Sequence, residues 1–142
     1  MLSNVASLHT TGIEVSNSRA GIWTGRILTG LVVIFLVFDG MMKVIKEAHV
    51  IAASADLGYS VSSLVLIGAI LLGCTLVYVI PRTSILGAIL LTGYLGGAVA
   101  SNVRVGHPVF QCLFPIIFGA LVWTGLLLRD ARLCEMILSR KD

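Results

Sequence analysis

Asp39 and Lys43 are an acid followed four residues later by a base, at the end of a run from Ile22 to Met42 whose only charged residues are Arg26 and Asp39. That spacing places them one helical turn apart on one face, in the order that favours an ion pair. Twelve residues separate Arg26 from Asp39, about 20 Å of helix against a hydrocarbon core about 30 Å thick. At least one of these charges therefore lies below a membrane surface. Arg26 can snorkel to the headgroups along its long stem, but the short side chain of Asp39 cannot, so Asp39 is expected to face protein or water. A lone charge at mid-membrane costs about 3 kcal/mol on insertion scales, and pairing or a wet cavity is the usual remedy. Two readings follow: an ion pair that ends a helix at the interface, or a functional polar site.

Other polar side chains converge on the same level of the chain. A third apolar run ends with Ser101, Asn102 and Arg104, a short loop adds His107, a fourth run opens with Gln111, and Tyr94 lies one to two turns deeper. With Asp39 and Lys43 these form a candidate binding cluster, since ionisable groups within membrane spans mark functional sites. His107 precedes Pro108 and also suits a solvated turn. No metal site is expected, because His9 and His49 fall on other segments. Cys74, Cys112 and Cys134 form no Cys-x-x-Cys pair. Cys74 lies deep in its run and Cys112 near the start of its own, a difference of about 15 Å along the membrane normal that exceeds the reach of a disulfide. Nucleotide-phosphate loops, nucleophile elbows and paired-carboxylate sites are absent from the sequence, and no catalytic residue is assigned.

The elements that must position these groups follow from composition. The chain is 57% hydrophobic and 12% charged, against roughly 25% charged for a soluble domain. Ile22 to Met42, Val61 to Ile80, Ser84 to Val103 and Val109 to Leu128 each meet the length of about 20 apolar residues for a spanning helix. The expected fold is all-α, an antiparallel bundle of four transmembrane helices. It comprises a polar tail over residues 1–20, a membrane domain over 21–133 and a C-terminal tail over 134–142. The first tail has no apolar stretch of its own and reads as neither a signal peptide nor a low-complexity tract; a signal-anchor reading of Ile22 to Met42 stays open, although that run is longer than a signal-peptide core and has no small-residue cleavage pattern after it.

Seven basic residues (Arg19, Arg26, Arg82, Arg129, Arg132, Arg140 and Lys141) fall on the side of the two tails, and three (Lys43, Lys46 and Arg104) on the other. The positive-inside rule then predicts both termini in the cytoplasm of a multi-pass protein. The net charge of +3 serves orientation, not nucleic-acid binding, because the basic residues flank helices and form no aromatic-interleaved patch.

Glycine density in the third run predicts how the helices pack. Gly93, Gly97 and Ser101 recur at intervals of four beside Gly96, and small residues so spaced let backbones approach; a ligand crevice is the alternative for this face, and the two can hold at different depths. Ala69 and Gly73 in the second run offer a matching flat face. The loop from Lys43 to Ser60 mixes apolar and charged residues, which suits a helical extension and then an interfacial segment that either caps the polar cluster or lies at the headgroups. Gly58 predicts the turn into the second helix.

Asp39-Gly40 with Lys43, Leu57-Gly58-Tyr59, the block IPRTSILGAILLTGYLGGAVASNVRVGHP from Ile80 to Pro108, and FPIIFGALVWTGLLLRDARL from Phe114 to Leu133 together resemble the DoxX-like family of small four-helix bacterial membrane proteins. The resemblance runs from about Gly25 to Leu138. It departs at Asn102, where the family often has a histidine, and so removes a proton carrier from that position. The family takes its name from a small membrane subunit associated with a thiosulfate:quinone oxidoreductase. The resemblance therefore implies a bacterial inner-membrane protein, an accessory or quinone-proximal subunit of a membrane redox complex. The expected partners are the lipid bilayer and either a redox complex or further copies of the chain. No tightly held cofactor is expected, and a quinone or other small amphiphile is admitted in a crevice near Tyr94, Asn102 and Arg104. Two alternatives remain open: a small-molecule binding or transport module, and an assembly factor for a partner protein.

Overall fold

The computed structural model describes residues 19–130 and residue 133. The two expected tails thus fall almost wholly outside the described residues, with His9, Arg132, Cys134, Arg140 and Lys141. Five helices form among the described residues: α1 (Arg19–Val44), α2 (Ala48–Asp56), α3 (Val61–Val79), α4 (Ser84–Arg104) and α5 (Val109–Arg129). The four long ones coincide with the four apolar runs and are each long and apolar enough to cross a membrane.

Their surfaces identify the solvent. Only 22% of the most apolar stretch of α1 is buried within the protein, and Trp23, Ile34 and Phe110 are 63%, 69% and 74% exposed. A soluble bundle turns its apolar stripe inward and its polar face outward, whereas helices dissolved in lipid need no polar face. The protein is a multi-pass membrane protein.

Turn chemistry sets where the helices stop. Gly106 (φ 72°) follows α4 and Gly58 (φ 77°) follows α2. The backbone bonds from His107 to Asn102 O and from Tyr59 to Ser54 O (3.1 and 2.9 Å) complete a glycine-based C-terminal cap of the Schellman type. The end of α1 uses the same pattern, with Glu47 N–H bonding Met42 O at 3.1 Å, but its left-handed position is Lys46 (φ 58°). The side chain of Glu47 then caps α2 through the amides of His49 and Val50. The mixed loop is therefore a separate short helix between two left-handed residues, where a helical extension of the first span and then an interfacial segment were expected.

Neighbours around the bundle run α1, α3, α4, α5 and back to α1. The loop between α3 and α4 and the start of α1 lie at one end, here called the turn end; α2 lies at the other. Packing at the turn end centres on Tyr78, fully buried, whose hydroxyl donates across the bundle to Val122 O at 2.8 Å. Arg129 sits over its ring at 5.2 Å and donates to its carbonyl. Along the seam between α4 and α5, Trp123 Nε1 donates to Thr92 Oγ1 at 2.9 Å.

Close helix approach occurs at different glycines from those expected. A Cβ at Gly87 would lie 2.3 Å from the Tyr78 backbone, at Gly25 2.8 Å from Leu128 Cβ, at Gly68 2.9 Å from Gly40 O, and at Gly125 2.8 Å from Thr29 Oγ1. At Gly73, Gly93, Gly96 and Gly97 it would meet nothing within 4 Å, and Ala69 is exposed. The expected seam between a Gly93/Gly97 face and an Ala69/Gly73 face is thus not formed within the chain. Helix periodicity marks small-residue faces but does not say which face meets a neighbour.

Candidate functional site

At the α2 end the four long helices part around a cavity of about 440 Å³. Its polar side comes from Asp39 and Lys43 on α1, Tyr94, Ser101 and Asn102 on α4, Ser54 on α2 and Tyr59 beyond it. Its apolar floor comes from Phe35 on α1 with Phe114 and Phe118 on α5. These three rings form one cluster, with centroids 4.3 Å apart for Phe35 and Phe118, 4.8 Å for Phe114 and Phe118, and 5.6 Å for Phe35 and Phe114.

Local sequence explains the shape. Gly93 and Gly97 form part of the wall, so the face without side chains opens a volume where a seam was expected. Pro115 also lines the cavity from within α5. Having no N–H, it leaves the Gln111 carbonyl without the usual helical donor.

The Lys43 ammonium donates to Asp39 Oδ2 along α1. The pair is partly buried, with the Lys43 side chain 17% and the Asp39 side chain 36% exposed. Gly68 is what lets the Lys43 stem lie there, since a Cβ on it would stand 2.8 Å from Lys43 Cβ. Lys43 retains further N–H donors beyond the one given to Asp39. The Tyr94 hydroxyl has no hydrogen bond to another described residue, and its side chain lines the cavity. The site thus offers two hydrogen-bond donors above an aromatic floor, with its charges compensated within the protein.

The sequence model of the DoxX-like family matches residues 27–125, which include every one of these groups. The chain belongs to the DoxX-like family. No curated protein and no solved structure matches it.

Of the sequence-derived cluster in this DoxX-like protein, Asp39, Lys43, Tyr94 and Asn102 line one cavity. Arg104, His107 and Gln111 stand outside its wall. Arg104 is exposed and donates to Leu57 O at 2.6 Å. His107 Nδ1 bonds Asn102 Oδ1 at 2.8 Å, while Asn102 Nδ2 donates to Ala98 O, so the amide is held by two partners. Gln111 is exposed. Ser101, expected as a packing residue, donates to Gly97 O at 2.9 Å. Its single proton thus being used, Tyr59 is the donor in the 2.5 Å bond between the two hydroxyls.

Sequence reasoning missed Tyr59, Ser54 and the three phenylalanines. A helical signal existed for Phe114 and Phe118, one turn apart on one face. Phe35 and Tyr59 join the site only through the docking of separate elements. Cys74 and Cys112 are free thiols. Among the described residues no three His, Cys, Asp or Glu converge as metal ligands.

Proposed function

We propose that this DoxX-like protein is a bacterial inner-membrane subunit, with both termini cytoplasmic, that holds a small neutral amphiphile of the quinone class beside a redox partner. The observation that carries the reading is the meeting of an aromatic floor with the Asp39–Lys43 pair and the Tyr94 hydroxyl in one cavity of about 440 Å³, a size typical of small-molecule sites. A quinone ring has two apolar faces and carbonyl acceptors at its edge. The faces suit the Phe35, Phe114 and Phe118 rings, which favour offset or edge-on aromatic contact, and the carbonyls suit Lys43 and Tyr94. Because Asp39 neutralises Lys43, a ligand without net charge is preferred over an anion. The electron-transfer chemistry in this reading belongs to the partner, and the DoxX-like chain positions the molecule.

The test is mass spectrometry of the protein purified in mild detergent. A quinone retained near one per chain, and lost on Gly97→Leu with the melting temperature unchanged, supports the reading, since that substitution fills the cavity from a position with free space around it. An empty cavity together with a co-purifying protein would instead favour the assembly-factor alternative.

A further inference from the structure

Among the described elements, the segment that roofs the cavity is the most sparingly attached. Helix α2 has nine residues and meets the long helices sparingly, at α1 and α3. Both ends turn through left-handed backbone, at Lys46 (φ 58°) and Gly58 (φ 77°), places where the chain changes direction over one residue. Its attachment to α4 consists of two polar bonds from the segment that follows it. Arg104 donates to Leu57 O at 2.6 Å, and the Tyr59 hydroxyl donates to Ser101 Oγ at 2.5 Å. Gly58 beside the first bond holds φ 77°, a conformation that L side chains rarely adopt, while a Cβ there would make only ordinary contact with Arg104 Nη2, at 3.7 Å. Beneath this segment, Ser54 is 8% exposed and lines the cavity.

From these observations we infer that α2 is a hinged cover over the cavity, turning at Lys46 and Gly58 and latched shut by Arg104 on Leu57 and Tyr59 on Ser101. The inference rests on the reading of the cavity as a ligand site and assigns its regulation. Opening widens the path for water and a ligand headgroup from the α2 side to the Asp39–Lys43 pair; closing narrows it, with Asp39 still part-exposed. It gives Arg104 a role outside the cavity wall. A cover held by two hydrogen bonds opens locally at far less cost than a helix packed along its whole length, because few buried apolar contacts oppose it.

The cover is tested without any ligand, so a failure here stays separate from a failure to find a bound quinone. In detergent-solubilised full-length protein lacking its native cysteines, Ser54→Cys places a thiol on the cavity side of α2. Its rate of reaction with a charged, water-soluble maleimide reports opening. The closed cover predicts slow labelling, accelerated about tenfold by Arg104→Ala and about fivefold by Tyr59→Phe, the effects expected for losing a charged and a neutral hydrogen bond. A second protein retaining only Cys74, on α3 within the bundle, controls for general loosening and should show no acceleration from either change. The proposal fails if Ser54→Cys labels as fast as an exposed thiol without either change. It also fails if neither change alters its rate, or if Cys74 accelerates in parallel.

Discussion

The turn end and the α2 end of this DoxX-like bundle use the same residue, glycine, to opposite effect. At the turn end Gly25, Gly87 and Gly125 are where backbones touch, and removing side chains there brings helices together around Tyr78. At the α2 end Gly40 and Gly68 still bring α1 against α3, but Gly93 and Gly97 on α4 border open space and line a cavity. The difference lies in what faces them. Gly87 looks onto the backbone of α3 at the base of a tight hairpin, whereas Gly93 and Gly97 are exposed and edge a cavity lined also by three phenylalanine rings, Pro115 and an ion pair. One end is built for rigidity and the other for occupancy.

The largest expected effect comes from putting a methyl group at the turn end. Gly87→Ala places a Cβ 2.3 Å from backbone atoms of Tyr78, which cannot swing aside as a side-chain tip can. Thermal unfolding in detergent should show a loss of about 3 kcal/mol, the upper part of the range for overpacking. A stable Gly87→Ala protein would mean that the hairpin is not as tight as described.

Tyr78→Phe keeps the ring and removes the hydroxyl that reaches Val122 O. Loss of one buried hydrogen bond should cost about 1 kcal/mol in the same measurement. No change in melting temperature would show that this bond across the bundle contributes little to the rigidity of the turn end.

At the α2 end the corresponding polar interaction is the Asp39–Lys43 pair. Asp39→Asn and Lys43→Met should each lower stability, and the double variant should lose less than their sum, with a coupling of about 0.5 to 1 kcal/mol because the pair is only partly buried. Simple additivity would mean that the two charges act independently.

The smallest effect is expected where the sequence most invited a large one. Gly93→Ala and Gly97→Ala meet free space and should shift stability by less than about 0.5 kcal/mol, as substitutions away from packed features do. A destabilisation equal to that of Gly87→Ala would erase the contrast between the two ends.

Orientation is checked separately by reporter fusions, which should place both tails and Arg82 in the cytoplasm. An accessible C-terminal tag on the outer face would reverse the assignment.

Much of the architecture was legible without coordinates because the bilayer imposes a one-dimensional rule. A run of about 20 apolar residues must span as a helix, so the four spans, their tight antiparallel connections and the pairing of Asp39 with Lys43 could be read from spacing alone. The glycine turn at Gly58 was equally local, since a left-handed residue after a helix is a property of a few neighbouring positions. Asp39, Lys43 and Asn102 share depth by arithmetic, Tyr94 lies one to two turns deeper, and all four line one cavity.

Depth, however, does not determine direction around a helix axis. The sequence ranked Gly93 and Gly97 as a packing face and placed Arg104 with the ligand groups, but only the docking of helices decides which face of each looks inward. Tertiary structure alone brought Tyr59 to Ser101, Arg104 to the Leu57 carbonyl, and Phe35 from the first span beside Phe114 and Phe118 from the last. These contacts join residues far apart in the chain, and their geometry depends on how each helix is rotated against its neighbours. Where every helix is apolar on all sides, hydropathy carries almost no record of that rotation, and it is settled by the fit of side chains, as at Gly68 beneath the stem of Lys43 and Gly87 against Tyr78.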